Sequence, residues 1–342
     1  MGATIGEWFG CALPSDFGDW REEYRFARES VAVLDKNYRA YLAFRGPDRV
    51  RYLNAILTNN IKDLKTGEGV PSLFLSPQGR IQAEIETYAE PERLFCVSYA
   101  MIREKLIPAL DHYIIMDDVM LTDESSRFGT LSLEGPLAAK VTKQLADIDL
   151  GGLPELGWKE AQMGSIPCRV VRRMPEGIPS AEFVCEQSNL PSLWHLLLGA
   201  AKANGGGPAG YTALNALRLE PGIPWFGYDF GEKQIPHEAG LEKSHISYTK
   251  GCYTGQEIVE RVRSRGQVNR VRALFKLLAP NLPDAETPIL SDGKEVGQIT
   301  RAAQSPFFQS VIAMGYIRRE LSLPGTEVLI ADKAATVVSP RN

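Results

Sequence analysis

The chain has 342 residues, of which 44% are hydrophobic and 23% charged, and its formal net charge at pH 7 is −4. At about 150 residues per domain, this length indicates two or three domains that can bury a core without disulfides or a structural metal. The near-neutral charge gives no general preference for polyanions or membrane surfaces, and no run of 18 apolar residues predicts a transmembrane helix. The first ten residues contain no Lys or Arg, so we expect no secretory signal.

Helix and strand patterns alternate over residues 1–268. A turn at Ser76–Gly79 precedes a strand in which Ile81, Ala83 and Ile85 share one face. Glu84 lies on the opposite face of that strand. The strand–strand–helix order favours an α+β fold, and we expect two α+β subdomains in this region. No G-x-G-x-x-G follows a predicted strand and no G-x-x-x-x-G-K-[ST] occurs, so the sequence predicts neither a Rossmann nor a P-loop site.

Residues 269–342 have a different pattern. Short alternating strands replace the helices, for example Val271–Leu277, and Ser291–Lys294 is a hairpin turn signal. We therefore expect a separate C-terminal β-barrel domain.

The cysteines and histidines predict neither disulfides nor a metal centre. Cys11, Cys96, Cys168, Cys185 and Cys252 are odd in number, far apart and never arranged as C-x-x-C. This usage is typical of a reducing compartment, and we expect a cytoplasmic protein. The four histidines form neither H-x-x-x-H nor H-E-x-x-H, so no metal ligands are predicted.

The densest functional pattern is an octet around one cysteine: Lys250, Gly251, Cys252, Tyr253, Thr254, Gly255, Gln256 and Glu257. The Thr254–Glu257 spacing matches a capping box and predicts a helix N-terminus just after Cys252. Such a terminus favours an anion, and Lys250 and Arg261 add positive charge. We therefore predict a depressed pKa and a reactive thiolate at Cys252. The alternative is a small buried cysteine in a glycine-rich turn.

Glu220 is a second candidate. It ends a predicted helix that starts at Tyr211, and Pro221–Gly222 follows directly. A carboxylate at a helix C-terminus is electrostatically misplaced, which makes it a candidate for a binding role. The alternative is a surface carboxylate paired with Arg218 or a lysine.

The octet resembles the motif of the YgfZ-type folate-binding proteins, which are relatives of the glycine-cleavage T protein, an aminomethyltransferase. Shorter segments in the same order also resemble family landmarks: Val33–Asp35, Phe44–Pro47, Leu57–Asn60, Leu131–Pro136, Leu217–Gly222, Val296–Thr300, Ser305–Pro306 and Ala313–Tyr316. The resemblance implies a three-subdomain cloverleaf around a folate-binding channel. It also implies that Glu220 holds the pterin and that Cys252 is the functional thiol. Tetrahydrofolate or a derivative is the expected cofactor.

One departure from the family separates two hypotheses. In the aminomethyltransferases, the strand after the glycine turn carries an Asp pair, one member of which is catalytic. That pair falls on Ala83 and Glu84 here, so the resemblance implies that the catalytic Asp is replaced by Ala83. Asn60 also stands where the transferases commonly have Asp.

The leading hypothesis is a folate-binding accessory protein for iron–sulfur cluster assembly or repair, with iron–sulfur proteins or assembly factors as transient partners. One cysteine cannot hold a cluster alone, since clusters normally have about four ligands. The alternative is a tetrahydrofolate-dependent aminomethyltransferase with Glu84 as the acid–base group. A third hypothesis, RNA binding by the basic stretch Lys243–Arg272, is the weakest because no recognised RNA-binding module occurs.

Overall fold

The computed structural model describes residues 2–174 and 178–341. The helices in this part of the chain are α1 (Trp20–Glu29), α2 (Arg49–Ile56), α3 (Arg103–Asp111), α4 (Ala138–Ala146), α5 (Leu190–Ala203), α6 (Tyr211–Leu219), α7 (Pro236–Ala239) and α8 (Gln256–Arg265). Short 3-10 helices lie at Ala100–Ile102, Leu150–Gly152, Gln187–Asn189 and Arg319–Leu321.

The strands mix short hairpins with longer sheet members. They are β1 (Thr4–Trp8), β2 (Cys11–Asp16), β3 (Ala32–Asp35), β4 (Arg39–Arg45), β5 (Gly69–Leu75), β6 (Ile81–Ala89), β7 (Leu94–Tyr99), β8 (Met120–Asp123), β9 (Phe128–Glu134), β10 (Trp158–Met163), β11 (Ile166–Arg173), β12 (Ser180–Glu186), β13 (Gly207–Pro208), β14 (Arg270–Leu277), β15 (Pro288–Ser291), β16 (Lys294–Ser305), β17 (Ser310–Arg318), β18 (Glu327–Ile330) and β19 (Lys333–Val338). None of the helices within the described ranges has the length and apolar composition needed to cross a bilayer.

The chain divides into two compact units. The larger comprises residues 1–74, 83–213 and 245–253, and the smaller comprises residues 75–82, 214–244 and 254–342. The division differs from a simple cut near residue 268, because segments preceding the barrel cluster with it. The domain boundary expected between residues 268 and 269 therefore stays a prediction.

The larger unit contains a six-stranded sheet with the order β10-β11-β12-β9-β3-β13. Adjacent strands of this sheet are antiparallel, except that β13 pairs in parallel with β3. Alternating apolar residues such as Val33, Leu133 and Phe183 face α4 and α5 and form one buried core. Removing this apolar surface from water is the main stabilisation of the layer.

A five-stranded sheet has the order β5-β6-β7-β4-β8. Leu42, Phe44 and Ala83 pack with residues of α2 and α3 in a second buried core. The opposite faces of the two sheets share a third cluster that includes Tyr41, whose hydroxyl lies 2.6 Å from the Thr130 hydroxyl. Two α+β layers therefore meet within the larger unit.

The smaller unit contains a closed barrel with the strand order β14-β17-β16-β15-β18-β19. The circle closes where β14 pairs with β19, from Leu274↔Val338 to Leu277↔Ala335. Alternating residues such as Phe275, Ile289 and Val337 fill its interior. The α+β class and the C-terminal β-barrel are both confirmed by this architecture.

Candidate functional site

Strand β6 separates Ala83 and Glu84 onto environments of opposite character. Ala83 is fully buried in the apolar core that includes Phe44 and Leu53. Glu84 lies on the other face, with 20% of its side chain exposed. A carboxylate at position 83 would enter an apolar core without a partner, which is costly. Of these two positions on β6, only position 84 can therefore present a carboxylate to a polar ligand.

Glu84 is held by two side chains of the larger unit. The hydroxyl of Tyr99 donates to Oε2 at 2.9 Å, and Nε2 of His245 lies 2.9 Å from Oε1. His245 is fixed in turn, because the Thr58 hydroxyl donates to its carbonyl oxygen at 2.6 Å. Burial, followed by the charge of Glu84, raises the pKa of Tyr99 well above its ordinary value, so its hydroxyl stays a donor. The carboxylate is thus oriented and still partly accessible.

An ion cluster lies nearby on the same two sheets. Arg39 donates to Glu182 at 2.7 Å and to Glu86 at 3.3 Å, and Arg173 pairs with Glu86. Although burial alone would lower it, the Glu182 and Glu86 carboxylates hold the pKa of Arg39 above its ordinary value. Burial would raise the pKa of Glu86, but Arg173 and Arg39 lower it to about 2.

Glu182 has an unused acceptor. Its side chain is only 4% exposed, and within residues 2–174 and 178–341 its Oε2 atom has no hydrogen-bond partner. Buried carboxylate oxygens are normally satisfied, so an unsatisfied one calls for an explanation such as a ligand. A chain of contacts links Glu182 to Glu84. Arg39, which donates to Glu182, lies 5.8 Å from the Tyr38 ring, and this ring stacks on Tyr99, the donor to Glu84, at a centroid distance of 5.6 Å.

The segment around Cys252 is anchored on both sides, by Lys250 before it and by Tyr253 after it. The Lys250 ammonium donates to the carbonyls of Asn54, Leu57 and Asn59 at 2.5, 2.5 and 2.9 Å. These carbonyls lie at the C-terminal end of α2, where a cation is favourable. Tyr253 is buried, and Lys250 lies 5.2 Å from its ring. Cys252 itself is exposed, so the alternative of a buried structural cysteine is wrong.

The expected start of the helix after Cys252 needs correction. Helix α8 begins only at Gln256, and its N-cap is Gly255 with no side-chain cap, so Thr254 and Glu257 form no capping box. Glu257 instead accepts from Arg261 at 2.7 Å, one turn along the helix. The Lys250 ammonium is directed at backbone carbonyls. The reactivity of Cys252 stays a prediction.

The two motif glycines differ in their constraints. Gly255 has φ +80°, and a Cβ there would lie 2.7 Å from the Ser76 carbonyl oxygen. This close approach of two backbones admits only glycine. A Cβ on Gly251 would meet no atom within 4 Å.

Glu220 is fully buried in the smaller unit, directly after the end of α6. The Ser305 hydroxyl donates to Oε1 at 2.7 Å, and Arg341 donates to Oε2 at 3.3 Å. The backbone N–H of Arg341 also donates to its carbonyl oxygen. The expectation of a surface carboxylate paired with Arg218 is wrong, since Arg218 pairs with Asp229. The role of Glu220 in pterin binding stays a prediction, although its oxygens are already engaged.

The structure thus brings Glu84 together with residues that the sequence patterns did not single out: Tyr38, Arg39, Tyr99, Glu182 and His245. Each is separated from Glu84 by many positions in sequence. Glu182 stands out only in the structure, because it is a carboxylate within β12, where all residues from Ser180 to Cys185 are buried. Among the described residues, no three His, Cys, Asp or Glu side chains are grouped to hold a metal ion.

The structure combines a mixed α+β unit, a closed six-stranded barrel and a partly exposed, oriented carboxylate. The structure of glycine cleavage system aminomethyltransferase T from Bartonella henselae matches with a TM-score of 0.88 and 22% identity, over 99% of this chain and 93% of that one. The T-protein fold expected from the sequence is therefore confirmed.

Sequence comparison identifies the family. Residues 1–246 match the GCVT N-terminal domain, and residues 270–340 match the glycine cleavage T-protein C-terminal barrel domain. The chain belongs to this glycine-cleavage T-protein family. It is 28% identical to an aminomethyltransferase of Moorella thermoacetica over 333 residues, covering 96% of this chain and 90% of the relative. It is 26% identical to an aminomethyltransferase of Streptomyces coelicolor over 330 residues, covering 96% and 89%.

Proposed function

We propose that this protein binds a tetrahydrofolate and transfers a one-carbon unit in the manner of an aminomethyltransferase, with Glu84 as the acid–base group. The observation that carries the proposal is the separation of Ala83 from Glu84 on β6. Ala83 faces an apolar core. An alanine at this position therefore leaves the carboxylate on the polar face of β6, Glu84, in place. The two relatives named above are both aminomethyltransferases, which supports this function over the accessory role.

The site residues fit a folate. A pterin presents adjacent amino and ring N–H donors, which a carboxylate accepts in parallel. Glu182 supplies one such acceptor oxygen, because its Oε1 accepts from Arg39 while its buried Oε2 has no hydrogen-bond partner among the described residues. Glu220 fits less well, because Ser305 and Arg341 already use both of its oxygens. Our proposal therefore assigns the pterin to Glu182, with Glu220 as the competing assignment.

Bound tetrahydrofolate would supply the ring and side-chain nitrogens that accept the one-carbon unit. Glu84 would take the proton that such a nitrogen loses as its bond to the aminomethyl carbon forms, while the bond between that carbon and the sulfur of the lipoyl donor breaks and the electron pair leaves on the donor's thiolate. Tyr99 and His245 would keep the carboxylate oriented toward that nitrogen. A positioned general base of this kind contributes roughly 10²–10⁴-fold to a rate.

The activity test compares Glu84→Gln with the wild-type protein in an aminomethyl-transfer assay with a lipoyl-protein donor. We expect kcat to fall at least about 10²-fold with little change in the folate KM, since the amide keeps the shape and loses the base. Glu92→Gln, at an exposed position, is the matched control. Absence of wild-type turnover would refute the transferase proposal, and an active Glu84→Gln would refute the role of Glu84.

The binding test compares Glu182→Gln with Glu220→Gln in calorimetric titrations with 5-formyltetrahydrofolate. We expect Glu182→Gln to weaken binding about 10-fold or more, equivalent to about 1.4 kcal/mol, and Glu220→Gln to change it little. The reverse result would restore the assignment to Glu220. Wild-type protein with no folate affinity at millimolar concentration would refute both.

One observation favours a second candidate, the folate-binding accessory role in iron–sulfur cluster assembly or repair. Cys252 is exposed, whereas Cys96, Cys168 and Cys185 are buried, and its neighbours Lys250 and Tyr253 are held in place. A thiol presented in this way suits a transient contact with a cluster or a partner thiol. The test is complementation of a strain lacking the protein, scored by iron–sulfur enzyme activity. Full rescue by Cys252→Ser would refute this candidate. Rescue by wild type and by Glu84→Gln, but not by Cys252→Ser, would favour it.

A further inference from the structure

The N-terminal hairpin contains an unusual turn. Trp8 of β1 pairs with Cys11 of β2, so Phe9 and Gly10 form a two-residue loop. Their φ angles are +54° and +70°, as the mirror-image turns of hairpins require. Asn-Gly is the common pair at such turns, and a bulky side chain at positive φ is a strained exception. Phe9 therefore breaks the local preference of its own turn.

The ring of Phe9 is inserted among three tyrosines, which we name the aromatic slot: Tyr38, Tyr99 and Tyr211. It stacks on Tyr38 at a centroid distance of 4.3 Å and an interplanar angle of 20°. It also lies 5.6 Å from Tyr99 and meets the edge of Tyr211 at 6.0 Å. Only 1% of Phe9 is exposed. The strained turn thus places one aromatic ring in the middle of the slot.

The aromatic slot adjoins the groups assigned above to folate. Tyr99 donates its hydroxyl to Glu84, and Arg39, which binds Glu182, lies 5.8 Å from the Tyr38 ring. A flat heteroaromatic ring recognised by Glu182 and presented to Glu84 would stack on Tyr38. Phe9 covers that ring.

The hairpin can withdraw without breaking another sheet. Strands β1 and β2 pair with each other in a two-stranded sheet of their own. Outside the turn, Thr4, Ile5 and Glu7 are exposed, whereas Trp8 and Leu13 are buried and are the apolar contacts that withdrawal would have to break. Movement of this hairpin would therefore interrupt no ladder of the larger sheets.

We propose that Phe9 is a specificity-determining residue that occupies the aromatic slot in place of a ligand ring, and that a flat heteroaromatic ligand binds only after the hairpin turn withdraws Phe9. This inference rests on the proposed folate function for the identity of the ligand. Because only the withdrawn state is competent, the measured Kd exceeds the intrinsic Kd by the inverse of that state's population. Weak-stacking or small ligands cannot repay the displacement and are rejected.

The test measures binding of 5-formyltetrahydrofolate by calorimetry to wild type, Phe9→Gly and Phe44→Leu. Glycine removes the ring and suits the positive φ, whereas Phe44 is a fully buried ring in a core away from the slot. We expect at least a tenfold lower Kd for Phe9→Gly and no decrease for Phe44→Leu. An equal or higher Kd for Phe9→Gly would overturn the proposal.

Hydrogen exchange supplies a measurement on the unmodified protein. Residues 4–16 of the wild type should exchange faster when the folate is bound, although most of a binding site becomes more protected by its ligand. Unchanged or increased protection of the hairpin contradicts its withdrawal.

A second probe separates failure of this inference from failure of the proposed function. If neither wild type nor Phe9→Gly binds the folate, the proposed function is refuted. Binding of the aromatic dye anilinonaphthalene sulfonate then tests whether Phe9 blocks the aromatic slot. One dye molecule bound by Phe9→Gly, and none by wild type or Phe44→Leu, supports an aromatic slot blocked by Phe9. Equal dye binding by all three refutes it.

Discussion

Replacing Lys250 with Met tests whether its ammonium holds the Cys252 segment to the end of α2. The change keeps the length of the side chain and removes three charge-assisted donors from the carbonyls of Asn54, Leu57 and Asn59. Leu57 is fully buried, so its carbonyl loses its lysine partner where water has little access. That loss costs about 1–3 kcal/mol. The other two carbonyls belong to half-buried residues that water can reach, so we expect a total loss of about 2–4 kcal/mol.

The assay is urea unfolding of wild type, Lys250→Met and Lys250→Arg, with Lys243→Met as a control at an exposed lysine. The arginine fork keeps the charge but cannot aim three N–H groups from one nitrogen, so we expect an intermediate loss. The control should stay within about 0.5 kcal/mol of wild type. An equally small effect for Lys250→Met, at an unchanged m value, would show that the three contacts contribute nothing to stability.

The remaining predictions concern three side chains. Iodoacetamide at neutral pH should modify Cys252 first, because burial raises the pKa of Cys96 to about 12 and keeps that thiol protonated; mass spectrometry showing Cys96 modified earlier would contradict this. Glu86 has a folded-state pKa of about 2, below its ordinary 4.5, so its stabilisation is complete above pH 4.5 and is lost as the pH falls toward 2. Unfolding experiments on Glu86→Gln should therefore show a weaker pH dependence in that window, and an unchanged dependence would assign the acid sensitivity elsewhere. Glu220→Ala should lower the free energy of unfolding by about 1–3 kcal/mol, since the buried Ser305 hydroxyl loses its acceptor; a neutral thermal unfolding result would exclude a structural role.

The sequence predicted the elements with strong periodicity. The alternation at Ile81–Glu86 correctly places Ala83 and Glu84 on opposite faces of β6, and the short strands after residue 269 form a closed barrel. Both patterns depend on local spacing alone, because side chains alternate along a strand wherever it lies.

The parts that sequence could not predict depend on contacts between distant segments. His245 reaches Glu84 across 161 positions, and Arg39 reaches Glu182 across 143. The capping box failed because the backbone approach of Gly255 to Ser76 fixes where α8 begins, whatever Thr254 and Glu257 prefer locally. Glu220 broke a helix-dipole preference because Ser305 and Arg341, late in the chain, compensate its burial. A broken local rule indicates an unseen partner, which can be a protein side chain as well as a ligand.

Closure of the barrel has a consequence for how the protein is made. The first barrel strand, β14, pairs with the last, β19, and Arg341 then donates to Glu220. The N-terminus of a chain leaves the ribosome first, so β14 emerges some sixty residues before its partner strand β19. During that interval β14 has only its other neighbour, β17, to pair with, and only once β17 has also emerged. The nascent barrel therefore exposes an open strand edge until β19 has emerged, and this is the stage at which intermolecular pairing is most favourable.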